Sequence, residues 1–228
     1  MDISYDGILA CFEEGNKLLG QYSAALVSVH DPDDYLSDAK DIGEQEQRKK
    51  DILAAYQCLS DLKSQQKVES IGIGVKSPEI IEYLLQEGVH LDWTMMAGVL
   101  TPHTHSLYTR TLLKTLHSRN IQVVNSAVFN SGFLVGEDYY NYVLQDPQQN
   151  MSLYEWRLIF FRICQTHQFC PAHVCVQFSF LFGEVRSVAL NACRLEHVAL
   201  NFKNVYDTIS HDHDIWKDLS DANLINIY

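Results

Sequence analysis

The chain has 228 residues, 46% of them apolar and 20% charged, which suits one domain with a sizeable buried core and excludes a disordered segment. Its formal charge of −12 argues against non-specific binding to nucleic acid or to an anionic membrane surface. It has no apolar run of about eighteen residues or more and no signal-peptide pattern at its start, so a cytoplasmic protein is expected, with no membrane span.

Gly7–Leu19 reads as the first helix, with Ile8, Phe12, Leu18 and Leu19 on one stripe, and Ser23–His30 as the first strand. The polar stretch Asp31–Arg48 reads as a long loop running into a helix over Glu44–Leu62, where Ile52, Leu53, Tyr56, Leu59 and Leu62 share a face. A second strand follows at Val68–Val75. Pro78 then opens a helix that runs to Gln86, with Gly88 placed to stop it. Leu91–Gly98 and Ile121–Val128 are the third and fourth strands, separated by a helix over His105–Ser118. Ser152 and Glu155 have the spacing of a capping box, which predicts a helix to His167. Pro171–Leu181 is another helix, Val185–Leu190 the fifth strand, and Leu195–Tyr206 and Asp212–Asp221 the last helices.

The strands are near-continuous apolar runs, as in parallel sheets covered on both faces. Strand alternating with helix implies right-handed βαβ units in one domain. Periodicity by itself leaves an open sheet and a barrel both standing. The cysteines (Cys11, Cys58, Cys164, Cys170, Cys175, Cys193) lack C-x-x-C spacing and read as reduced thiols.

Several segments, in order, resemble aldo/keto reductases, above all the aldose dehydrogenases that oxidise galactose, fucose or arabinose at the anomeric carbon. Asp2-Ile3-Ser4-Tyr5-Asp6-Gly7 is similar to the family's "DYSYDG", and Val29-His30-Asp31-Pro32-Asp33 to its "VHDPD". Ile71–Val75 resembles the family's fifth strand, and Ala127–Gly132 the loop after its seventh. Glu196–Asn201 resembles the cofactor-binding helix, and Ile215–Leu219 the closing "LWxxL".

That resemblance implies an α/β fold: a partial TIM (β/α)₈ barrel made of strands four to eight and their helices, the first three strands absent, with Met1 at a mid-chain position. Residues 1–228 would be a single incomplete aldo/keto reductase domain of NADP-dependent oxidoreductase type. In complete form such a protein oxidises a sugar with NAD or NADP. The family uses Tyr as general acid/base, Lys and Asp to tune it, and His to orient the substrate. Only the His has a counterpart, His30, so the chain is expected to be inactive. A non-catalytic pseudoenzyme serving as a binding or regulatory module is the alternative, with a protein partner or self-association covering open sheet edges.

For the cofactor, the resemblance carries over Phe129, Asn130, Ser131 and Gly132 after the seventh strand. It also carries over Glu196 and Asn201 as adenine contacts. The family's "PGARSPEQV" falls on Leu190–Val198, so Pro becomes Leu190, Gly becomes Asn191 and Arg becomes Cys193. Arg194 would then stand in, one place along. The nicotinamide-stacking aromatic falls on Leu100. Weak or absent dinucleotide binding is the expectation.

The remaining clusters have plainer readings. A lone His after a strand is usually a structural hydrogen-bonding residue, and that reading stands beside the catalytic one for His30. His103-Thr104-His105 reads as a loop entering a helix, and His211-Asp212-His213-Asp214 as a polar cap, with no metal site expected. Asp33-Asp34 and the Glu44–Asp51 charges read as solvated surface, and Tyr139-Tyr140 and Phe160-Phe161 as packing. Gly72-x-Gly74 lacks the third glycine of a dinucleotide fingerprint.

Overall fold

The computed structural model describes residues 2–227; Met1 and Tyr228 lie outside them. The chain divides into two compact units, Met1–Met96 with Ser118–Gln122, and Ala97–His117 with Val123–Tyr228.

The first unit opens with α1 (Tyr5–Leu19), two residues earlier than the apolar stripe suggested, because the Ser4 side chain accepts the Gly7 N–H and caps the helix there. β1 (Leu26–His30) leads into α2 (Pro32–Ser37), a short helix inside the stretch expected to be loop. Proline at the first position supplies a ready helical φ. α3 (Ile42–Ser64) starts where Asp41 accepts the Glu44 N–H. β2 (Ser70–Val75), α4 (Glu79–Gln86) and β3 (Trp93–Ala97) complete the unit.

α3 buries Ile52, Ala55, Tyr56, Cys58, Leu59 and Leu62, while β2 is buried from Ile71 to Val75. The Tyr56 hydroxyl donates to the Gly72 carbonyl, 3.2 Å away. Glycine is needed at 72 because a Cβ there would sit 2.3 Å from the Trp93 ring. β1 pairs parallel with β2, His30 opposite Gly74, and β2 pairs parallel with β3. The Asp92 carboxylate ties the strand starts together: it takes the Ile71 N–H at 2.8 Å and the Lys63 ammonium at 2.5 Å. Burial pushes its pKa up, but the Lys63 and Ile71 hydrogen bonds outweigh burial and leave it below the ordinary value.

The second unit holds α5 (Leu107–Ser118), β4 (Gln122–Ser126), a 3-10 turn at Phe133–Val135 and a small hairpin of β5 (Tyr139–Tyr140) and β6 (Val143–Leu144). α6 (Met151–Thr166) follows, then α7 (Pro171–Phe180), β7 (Val185–Ala189), α8 (Leu195–Tyr206) and α9 (Asp214–Asp221). The predicted capping box does not form. Asn150 precedes α6 without a side-chain cap, and Ser152 lies inside the helix. α7 is buried from His173 to Ser179, so its polar groups need partners. Gln177 provides them by donating to the Asn204 carbonyl and accepting the Ile209 N–H. Trp216 of α9 is fully buried near Phe178, its indole N–H on the Ser210 carbonyl. β4 pairs parallel with β7.

The strands form one five-stranded sheet in the order β1-β2-β3-β4-β7. This corrects the expected fold class. A barrel segment, strands four to eight with the first three absent, is not the organisation found. Closing a barrel takes strands tilted into a ring, whereas here five parallel strands in simple sequence order form a sheet with β1 and β7 at its ends. No described helix is long and apolar enough to cross a membrane.

Candidate functional site

In the first unit, His30 ends β1, and its side chain is 80% exposed. A Cβ at Gly74 would sit 3.0 Å from His30 Nδ1, so glycine opposite gives the imidazole its room. Asp31 takes the left-handed conformation with φ 48°, and its N–H donates to the Gly74 carbonyl at 2.8 Å. Its carboxylate lies 3.8 Å from His30 Nε2 and 2.9 Å from Lys76 Nζ. Lys76 also bonds Asp34. Those two hydrogen bonds, Asp34 first, hold the ammonium's pKa above its ordinary value. The result is a row of polar side chains, His30, Asp31, Lys76 and Asp34, at the carboxyl end of two parallel strands, where open α/β sheets bind their ligands.

Sequence reasoning missed two members of this end. Lys76 is the first charged residue after an apolar strand, which was the available signal. Asp33 was read as solvated, yet it is only 8% exposed. Its Oδ2 accepts the Lys76 and Ser77 N–H groups at 3.0 and 2.7 Å, stitching α2 to the end of β2.

In the second unit, the loop after β4 folds through left-handed residues at Ala127, Asn130, Ser131 and Gly132. Its polar groups are turned inward. Asn130 is fully buried, accepting the Thr101 hydroxyl at 2.7 Å and donating to Asn141 at 2.9 Å. The Asn130 and Gly132 N–H groups donate to the Ala127 and Phe129 carbonyls, and the Phe133 and Leu134 N–H groups are also used within the loop. Gly132 leaves room for Glu137 rather than for a phosphate, since a Cβ there would meet Glu137 Cγ at 2.8 Å. Ser131 Oγ accepts the Tyr142 N–H. Phe129 is half-buried, and Leu100 is fully buried with its carbonyl accepting from Asn125.

Arg194 precedes α8, exposed, its guanidinium without a hydrogen bond or ion pair among the described residues. Glu196 is exposed two residues on, and Asn201 donates to the Asn191 carbonyl at 3.1 Å. A helix N-terminus beside an unpaired guanidinium suits an anion. Of the cofactor residues expected, Arg194 has the charge to face a phosphate, Glu196 at the same helix end carries the opposite charge, and those after β4 offer no unused amide from Asn130 or Gly132.

The histidines of Thr101–His105 have local partners. His103 Nδ1 lies 2.8 Å from the Tyr140 hydroxyl, with Trp156 edge-on at 4.8 Å. His105 Nε2 accepts the Asn226 N–H at 2.8 Å while Nδ1 faces the Thr101 carbonyl. Burial lowers the pKa of both. His213 caps α9 by accepting the Ile215 N–H, matching the polar-cap reading.

A family model described as the aldo/keto reductase family matches residues 1–219. Pyridoxal 4-dehydrogenase from Microbacterium luteolum is 25% identical over 231 residues, covering 99% of this chain and 64% of the relative. The chain thus spans less than two thirds of that relative's length. The holo form of an aldo-keto reductase from Bacillus halodurans aligns over 100% of this chain and 70% of its own, with TM-score 0.68 and 16% identity. A Gox0644 mutant in complex with NADPH aligns over 96% of this chain and 66% of its own, with TM-score 0.64 and 17% identity. At such identities the solved structures speak for the fold.

Proposed function

The chain belongs to the aldo/keto reductase family, an oxidoreductase family, and from that premise we propose that its chemistry is of the aldose 1-dehydrogenase kind, using NAD or NADP. The observation that carries this reading is the carboxyl end of β1, where an exposed His30 is joined through Asp31 to Lys76. There His30 would meet a sugar hydroxyl, and Asp31 would orient its imidazole. A bound nicotinamide supplies the hydride acceptor. Arg194, with Glu196 and Asn201 along the same helix, would hold the phosphate and adenosine end.

The same geometry argues that this chain by itself turns over little or no sugar. Tyr35 and Tyr5 donate to Asp51 and Asp61, Lys76 is committed to two carboxylates, and among the described residues no phenol hydrogen-bonds His30. A non-catalytic module is the second reading. It is favoured by α8, which leaves Leu195, Phe202 and Tyr206 from 66% to 80% exposed and so offers an apolar face to a protein partner or a second copy.

The test is a titration of the purified chain with NADP and NAD, followed by the fluorescence of Trp93, Trp156 and Trp216. We expect weak saturable binding that Arg194→Ala abolishes. A folded chain whose fluorescence does not respond to either dinucleotide would remove the cofactor role and leave the module. Steady turnover of galactose, fucose, arabinose or pyridoxal would overturn the inactivity; pyridoxal joins the panel because the curated relative is named for it.

A further inference from the structure

The second unit holds a cavity of about 580 Å³ between the Thr101–His105 loop, α6, and the last turn of α9 with the segment that follows it. His103 and Trp156 both line it, their rings edge to face with centroids 4.8 Å apart. Trp156 is also stacked on the fully buried Phe160, which fixes the indole in place.

Each of these two rings keeps one N–H group unspent. The Tyr140 hydroxyl lies 2.8 Å from His103 Nδ1, its only hydrogen-bond partner among the described residues, so the phenol donates and the imidazole proton sits on Nε2. Tyr140 is not on the cavity lining, so the bonded side of the ring is turned from it. Neither His103 Nε2 nor Trp156 Nε1 has a partner among the described residues, and neither is closed off from solvent. The Ser220 hydroxyl and the side-chain amides of Asn223 and Asn226 are likewise unpartnered on the lining. His105 is complete by contrast: its Nε2 accepts the Asn226 backbone N–H, which pins the segment after α9 against the loop.

The lining selects what fits. None of its residues is Asp, Glu, Lys or Arg, and burial holds both histidines below the ordinary imidazole pKa, so the wall carries no formal charge near neutral pH. An ion of either sign would give up hydration there without a counter-charge. An anion would also face the negative end of α9, in whose last turn Ser220 stands. A purely apolar molecule would leave the two N–H groups unpaired.

We propose that this cavity binds a neutral polyhydroxylated molecule, with His103 Nε2 and Trp156 Nε1 donating to its hydroxyl oxygens and Ser220, Asn223 and Asn226 completing the contacts. The volume suits a six-membered ring bearing hydroxyl groups. The site depends on neither the sugar oxidation nor the dinucleotide binding proposed above. A test ligand without an anomeric carbon keeps them apart.

The test uses the full chain, isotope-labelled, with three six-membered rings: myo-inositol, cyclohexanol and cyclohexanecarboxylate. Inositol is expected to give saturable amide shifts at residues 103–105, 153–157 and 219–226, half-saturating at millimolar concentration. The other two rings should bind at least about fivefold more weakly. Trp156→Phe removes the indole N–H but keeps an aromatic ring on Phe160. It should weaken inositol by about fivefold and leave the melting temperature unchanged. Should that variant unfold, Ser220→Ala gives the second reading, with a weakening of about threefold. Equal or tighter binding of cyclohexanol or of the carboxylate would overturn the proposal. So would unchanged affinity in a folded Trp156→Phe, unchanged affinity in Ser220→Ala where Trp156→Phe has unfolded, or no saturable inositol shifts in those segments.

Discussion

Two loops of this protein, each following a parallel strand, use histidine in opposite ways. The loop after β1 keeps His30 exposed and wires it into Asp31, Lys76 and Asp34. The loop after β3 half-buries His103 and His105 and satisfies them with neutral partners, the Tyr140 hydroxyl, the Thr101 carbonyl and the Asn226 N–H. Charge can be kept where water solvates it, whereas burial permits a polar group only when its hydrogen bonds are complete. The exposed loop is available for chemistry, and the buried one holds the unit together.

Asn130→Ala should have the largest effect on that contrast. It removes a fully buried acceptor of the Thr101 hydroxyl and the donor to Asn141, and should cost about 3 kcal/mol in a denaturant melt. A cost near zero would mean the buried network is dispensable. Asp33→Ala comes next, because its carboxylate is buried at the start of α2 beside the exposed His30. Losing the acceptor for two amides should cost about 2 kcal/mol, read the same way.

A smaller effect is expected from pH. His103 and His105 have folded pKa values below the ordinary 6.5, so on acidification the unfolded chain takes up protons first. Their contribution is fully present above about pH 6.5 and declines as the pH falls from there toward the folded values. Thermal melts across that range should show the loss, and His105→Gln, which can still accept the Asn226 N–H, should flatten it. Smallest of all is His30→Ala. It should leave the melting temperature unchanged, since the side chain is 80% exposed, while a measurable drop would assign it to the fold.

Much of the architecture could be read in advance where periodicity is strong. The stripe Ile52, Tyr56, Leu59 and Leu62 is buried as the helical spacing required, although Leu53 is only half-buried and Ala55 takes part instead. The strand runs were in place to within a few residues at each end. Short elements escaped: α2 carries too few apolar positions to stand out from the loop around it, and the hairpin Tyr139–Leu144 is two residues per strand. His30 lies exposed at a strand end in the first unit, and Arg194 lies exposed at a helix start in the second. Asn130 and Gly132 do not present themselves to a ligand, because their hydrogen bonds and close contacts turn inward. Beyond the place of Lys76 just after an apolar strand, the roles of Lys76 and Asp33 were out of reach, since a partner 42 to 44 positions away leaves no local mark.

The sequence by itself determined the order of strands and helices, the amphipathic faces and the family, because these depend on local periodicity and on motifs in a row. Only the tertiary structure decided that five strands pair as a sheet in sequence order, that Asp33 is buried while His30 is exposed, and that Lys76 bridges Asp31 and Asp34. Those outcomes depend on which distant segments meet, and burial and charge pairing are properties of the meeting rather than of either segment.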